Sequence, residues 1–513
     1  MNTKLLLPLL ALTGCDIWPS THSTYIGDLW DTDVVTLDDG VYARLPESGM
    51  LVRVGTDDTW QVVDLNGATP LSIQPDAGKS RLLVHAQWPV CEDSDPKIQT
   101  IDDCPENALE YKTELAIVDN GKRQATASIP SHMNVMRFTP DGNTALVYMD
   151  EASGGGQVSG PIVDLSEVIL LDLETGDTVS VSVGFMPNNI LFTQDGNRAV
   201  VMSRSKVVVL DLETQSITVE YPLTLDADIE IDPAAAVLTA DGRYVLIAIE
   251  GTSDLYKLDL EVVSIDMEAL DSSPTDMSSD PEHDQTVLVY RDRAQVDLIT
   301  EHDFIERKTL QLDDPATDIA MGNGTAVLYN TRNNAVRDIV LLDLSSHETT
   351  EYVAANPVSS LELSPDGDYA VAILQPSNTE YGTNLDAYQR SRWGLAVADL
   401  LSNDIVSLVL ESKPVGLEMV QTDEGSFALL LLAGFDSLIQ VDLSAPGNYS
   451  MIDLPSDPAG IDASPTGGFT IAHDSALGQI SYLDPATGDI NTTGGFATAG
   501  WMDDDVLPRR DTE

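Results

Sequence analysis

Apolar and polar positions alternate over short runs along most of the chain, and turn residues interrupt the runs at regular intervals. A period of two puts alternate side chains on one face, so the pattern predicts half-buried β-strands and no long amphipathic helix. The runs Thr144 to Met149 and Tyr244 to Ile249 are mostly apolar and predict strands. Each follows a turn of one kind: Phe138-Thr139-Pro140-Asp141-Gly142 and Leu238-Thr239-Ala240-Asp241-Gly242, with further copies at Phe192-Thr193-Gln194-Asp195-Gly196 and Leu363-Ser364-Pro365-Asp366-Gly367. Looser copies stand at Pro75-Asp76 and Ser464-Pro465-Thr466-Gly467. Pro presets φ, Asp bonds its own backbone and Gly accepts positive φ, so the chain must reverse there. A second motif follows some residues later, as in Leu171-Asp172-Leu173-Glu174-Thr175-Gly176, Leu210-Asp211-Leu212-Glu213-Thr214, Leu258-Asp259-Leu260-Glu261, Leu342-Asp343-Leu344, Val441-Asp442-Leu443 and Leu483-Asp484-Pro485-Ala486-Thr487-Gly488. This reads as a strand end entering a hairpin, with a short fourth strand such as Thr178 to Val183 beyond it.

Turn, strand, turn, strand, turn, strand makes one unit, and ten units start near residues 33, 67, 130, 185, 225, 271, 314, 356, 413 and 455. Their mean period of about 47 residues falls within the range of about 40 to 50 that marks propeller blades. A four-stranded sheet cannot bury both faces alone, whereas sheets packed radially share a continuous core and leave only short edges. The expected fold is therefore an all-β propeller over 33–500, with seven to ten blades because the first and sixth units are the weakest. Insertions interrupt three units: about 91–112, the Gly-rich stretch Gly154 to Gly160, and Gln375 to Trp393. Loops that break a regular repeat often carry function.

The Pro-Asp-Gly turns and Leu-Asp-Leu hairpin starts resemble those of bacterial propellers of the YVTN and Tol-system type, a WD-like architecture. That resemblance implies the fold and leaves function open, because such propellers host lactonases, peptidase gating domains, electron-transfer modules and plain scaffolds.

The N-terminus adds an address. Met1-Asn2-Thr3-Lys4 precedes the apolar run Leu5 to Leu12, which is too short to span a bilayer that needs about 20 residues. Leu12-Thr13-Gly14-Cys15 closes the run and resembles the lipobox of bacterial lipoproteins. The resemblance implies a signal peptide over 1–14, a lipidated Cys15 opening an N-terminal linker over 15–32, and attachment to a bacterial membrane, on the periplasmic face or at the cell surface, through the lipid anchor only. An ordinary secretory signal with an incidental Cys is the alternative. Of the three cysteines, Cys91 and Cys104 then remain as a pair in one acidic loop, and a disulfide in an oxidising compartment is their natural use.

Charge narrows the partners. The 513 residues hold 84 Asp or Glu against 26 Lys or Arg, a formal net charge of −58, yet 42% of the residues are hydrophobic, which suffices for a folded core. Nucleic acid is excluded, since no basic patch exists to meet phosphate and no run of Lys or Arg is longer than Arg509-Arg510. Asp outnumbers Glu by 59 to 25. Such a load favours a saline setting, where repulsion is screened, with simple solubility of an acidic extracytoplasmic protein as the alternative.

Local signatures of chemistry are absent: no G-x-S-x-G, P-loop, G-x-G-x-x-G or C-x-x-C occurs, and the seven His are scattered. His473-Asp474-Ser475 has triad residue types, but neighbours on a strand point to opposite faces, so a structural role is expected. No cofactor is implied, apart from a calcium ion at Asp226, Asp228, Glu230 and Asp232, which strand alternation would line on one face. Asp503-Asp504-Asp505 belongs to an acidic C-terminal tail over 501–513. Trp393, beside Arg390 and Arg392, is a candidate partner anchor, with packing on the ring as the alternative. The expected function is a non-catalytic platform for an envelope protein or polymer. A propeller-type, lactonase-like hydrolase with calcium at the channel is the alternative.

Overall fold

A computed structural model describes residues 34–495, apart from 46–48, 56–58, 77, 92–103, 106–108, 131, 150–164, 205, 224–232, 250, 263, 281–282, 301–306, 378–383 and 474–477. Forty strands form ten antiparallel four-stranded sheets, each built from four strands consecutive in the chain. The blades cover 34–62, 69–128, 135–182, 187–222, 233–269, 276–311, 318–353, 358–410, 414–453 and 458–494. All ten repeat units are thus blades, including the first and the sixth. The only helix among the described residues is α1 (Leu385–Arg390), inside the third insertion.

The turn motif works through its hydroxyl as well as its Pro, Asp and Gly. Thr139 Oγ1 donates to Asp141 Oδ1 (2.5 Å) and accepts from the amide of Thr144 (3.1 Å), while Gly142 sits at φ 67°. The pairs Thr193–Asp195 (2.6 Å), Thr239–Asp241 (2.7 Å) and Ser364–Asp366 (2.5 Å) repeat the bond. In the second motif Asp172 Oδ1 accepts the amides of Glu174 and Thr175, both at 2.8 Å, so its carboxylate closes the hairpin as an Asx turn.

Packing lies between blades. Ten apolar clusters each draw on two neighbouring blades, as where Val200 and Met202 of blade 4 meet Ala236 and Ile247 of blade 5. Blade 10 returns to blade 1: Ala43, Val52 and Val54 pack with Ile480, and β1 (Val34–Leu37) lies beside β37 (Pro458–Ala463). The ring therefore closes on itself.

Strand direction sorts the connections. Links from first to second and from third to fourth strand leave one rim, and those from second to third strand and between blades leave the other. All three insertions join a second to a third strand: β6 (Leu82–Cys91) to β7 (Leu109–Asp119), β10 (Thr144–Tyr148) to β11 (Glu167–Asp172), and β30 (Tyr369–Leu374) to β31 (Trp393–Asp399). They consequently share a rim.

Candidate functional site

The first strand of each blade lines the centre, and one register position recurs just before the turn. Aligning the ladders gives Gln74, Arg137, Leu191, Val237, Ser278, Ala320, Glu362, Glu418 and Asp462 for blades 2 to 10. Each keeps some accessible surface, while the preceding Met136, Ile190, Leu361, Leu417 and Ile461 are buried. These residues ring the channel mouth. From blade 3 to blade 7 the set is one Arg followed by neutral side chains; in blades 8, 9 and 10 it is three consecutive carboxylates.

Lys79 supplies the facing cation. It sits at φ 50° in the first turn of blade 2 and reaches across blade 1 to Ala463 O (2.7 Å) and Asp462 Oδ1 (3.4 Å). Asp462 Oδ2 also accepts the amide of Thr36 at 2.6 Å. Glu418 opens only onto the channel, so protein surrounds most of it. That burial, with repulsion from Asp462 and Glu362 added, outweighs Lys79 and the Ala463 amide and pushes its carboxyl up to about 8. At neutral pH the mouth accordingly presents a protonated Glu418 between Glu362 and Asp462. Among the described residues no group of three His, Cys, Asp or Glu is placed to hold a metal. The calcium candidates Asp226, Asp228, Glu230 and Asp232 lie outside the described residues, as does Cys15.

The insertion rim holds the other candidates. Cys91 and Cys104 form a disulfide, Cα to Cα 5.7 Å, at the end of a hairpin whose strands run ten and eleven residues. In the third insertion, buried Asn356 donates to the carbonyls of Gln389 (2.8 Å) and Arg392 (2.7 Å) and ties α1 to blade 8. Trp393 begins β31, partly buried against the core between blades 8 and 9, with the Lys413 ammonium 5.9 Å from its ring. Arg390 pairs with Asp386 (3.0 Å), and Arg392 pairs with Glu411 (2.9 Å) and lies 5.3 Å from the Tyr388 ring. Trp393 thus packs on the ring and both arginines have partners within the chain. The exposed apolar groups here are Leu385, 72% accessible, and Tyr388.

His473 is a buried brace. Its Nδ1 faces Ser456 O (3.1 Å) and its Nε2 faces Ser481 Oγ (2.7 Å), which is bonded in turn to Thr492 Oγ1 (2.7 Å). Ser481 is wholly buried, so this Ser–His pair meets no substrate; Asp474 and Ser475 lie outside the described residues.

The channel carboxylates escaped the sequence reading although the signal was present: Glu362 and Asp462 each stand two residues before a turn serine, Ser364 and Ser464. Glu418 lacks that marker because its turn runs Gln421-Thr422-Asp423-Glu424-Gly425. Its register shows only once β33 (Pro414–Thr422) is paired with β34 (Gly425–Leu432).

No family model and no curated protein matches the chain. Among solved structures, it is similar to a eukaryotic initiation factor at 10% identity, over 80% of this chain and 96% of that one, with a TM-score of 0.51. It is also similar to the dihydro-heme d1 dehydrogenase NirN in complex with DHE, at 18% identity over 68% and 72% of the two chains, with a TM-score of 0.44. The first of these likenesses shows the propeller fold and nothing more.

Proposed function

We propose that this propeller is a binding platform, held outside the cytoplasm by lipid on Cys15, which docks an envelope protein or polymer on its insertion rim. The observation that carries the reading is that all three insertions leave the same rim. One of them is closed by the Cys91–Cys104 disulfide, which fits an oxidising compartment, and another presents Leu385 and Tyr388 outward. Aromatic and apolar groups on a loop held by a rigid scaffold suit recognition, and Trp393, Arg390 and Arg392 stiffen that loop from behind. The acid load suits life in salt.

Mass analysis of the membrane-bound protein tests the anchor: the expected result is a chain beginning at a diacylated Cys15, and an unmodified Cys15 behind an intact leader overturns it. Pull-down from solubilised envelopes tests the platform. One stoichiometric partner is expected, lost in the double variant Leu385→Glu, Tyr388→Ala and kept when an exposed residue of the other rim is changed. Retention by the double variant counts against this rim as the docking face.

A further inference from the structure

The ten seams are unequal. Nine of the apolar clusters between blades contain nine to thirteen buried side chains among the described residues. The cluster joining blade 10 to blade 1 contains four among the described residues, Ala43, Val52, Val54 and Ile480, with Val41, Leu45 and Trp60 packed partly buried against them. No blade takes strands from both ends of the chain, so this seam, like the other nine, has no β-ladder across it and depends on side-chain packing. Apolar burial, the force that holds neighbouring blades together elsewhere, is therefore thin where the ring closes.

Polar contacts take their place. Lys79 of blade 2 passes over blade 1 and caps Ala463 O while facing Asp462, and Asp462 also holds the amide of Thr36. The carbonyl of Lys79 accepts from Asp38 N at 3.3 Å, so the same residue grips blade 1 on its way. Both flanks are firmer. Blade 1 is fixed to blade 2 through Tyr42 Oη, which accepts the Gly121 amide (2.8 Å) and donates to Asp39 (2.8 Å), and blade 10 is fixed to blade 9 through Gln440 Nε2 on Pro485 O (2.6 Å).

We infer that the seam between blades 10 and 1 is a gate at which the closed ring opens locally, and that Lys79 is the clasp that holds it shut. Opening separates Asp462 from Thr36 and widens the channel mouth beside Glu418, while the other nine seams stay packed.

Hydrogen exchange read by mass spectrometry on the full chain tests this. In the unaltered protein the ladder amides of β1 and β37 are expected to exchange at least tenfold faster than those of β13 (Pro187–Phe192) and β17 (Pro233–Leu238), which hold the same inner position beside the seam of blades 4 and 5. Lys79→Met is expected to raise exchange several-fold further at β1 and β37 alone, with Lys79→Arg closer to the unaltered protein. Equal protection at both seams in the unaltered protein, a comparison that needs no variant, overturns the gate. A uniform rise in Lys79→Met overturns the clasp.

Discussion

At the scale of single residues, Glu418 shows how position sets chemistry. Its equivalents in blades 4 to 7 are neutral, so a carboxyl is not needed to build an inner strand, and three in succession impose repulsion that Lys79 opposes. The native state lessens the repulsion by keeping Glu418 protonated, whereas in the unfolded chain the same group ionises near its ordinary value of 4.5. Between there and about 8 the native state binds the extra proton, so stability falls as pH rises, at up to about 1.4 kcal/mol per unit, and levels off above. Glu418→Gln, which keeps a neutral side chain of similar shape, is expected to remove that slope. Urea unfolding at half-unit steps from pH 5 to 9 checks it: the two proteins converge toward low pH and the variant is the more stable above neutrality. Parallel curves would mean that Glu418 is already ionised in the ring. The acidic motif aspartates contrast with it. Backbone amides of their own turns hold Asp172 and Asp343 below the usual carboxylate range, which is why Asp serves there at so little cost.

Elements were legible wherever a side chain does its structural work locally. Tyr244 to Ile249 is a strand with those limits, and Thr178 to Val183 is a strand one residue shorter, because alternation and turn chemistry are both written into a few adjacent residues. Helix α1 leaves no periodic trace in the sequence, although Asn384 caps it by accepting from Ala387 N (2.8 Å) and Asp386 and Arg390 stand at the proper ends. Six residues are too few for a 3.6-residue period to show. The sequence predicts a loop closed by cysteines between β6 and β7, whereas the hairpin extends as paired strands as far as Cys91 opposite Leu109, so the disulfide staples a ladder. Since the bond closes a loop of 13 residues, Cys91→Ser with Cys104→Ser is expected to cost up to about 3 kcal/mol in the chain-entropy account. That loss should be confined to the hairpin while the ring persists. Limited proteolysis checks the placement: cutting within 92–108 should accelerate in the double variant, with circular dichroism unchanged. A collapse of the whole β signal would mean that the hairpin is integral to blade 2.

Across the whole molecule, the blade count was written in the repeat, and the two faint units show why it was nearly missed. In blade 1 the turn Leu37-Asp38-Asp39-Gly40 lacks the hydroxyl, and Asp39 instead binds Arg53 (2.7 Å) and Tyr42. In blade 6 the carboxylate of Asp280 stands where Thr139, Thr193, Thr239, Ser364 and Ser464 stand in their turns, and it pairs with His283. Different side chains do the same job, so the motif fades while the geometry stays. Charge acts on this architecture as a ring-wide force, because the chain carries a net of −58 and its blades meet without a shared β-ladder. Repulsion of that kind opposes closure most at the seam with the least apolar contact, and salt relieves it, the Debye length falling from about 10 Å at 0.1 M to about 3 Å at 1 M. The melting temperature is therefore expected to climb by several degrees from 0.1 to 1 M sodium chloride and to flatten beyond, once screening is nearly complete. Choosing chloride keeps the effect electrostatic, since sulfate would strengthen apolar burial as well. Exchange at β1 and β37 should slow over the same range while β13 and β17 barely change. A melting temperature indifferent to salt would show that the carboxylates are spaced widely enough to ignore one another, and the acid load would then serve solubility alone.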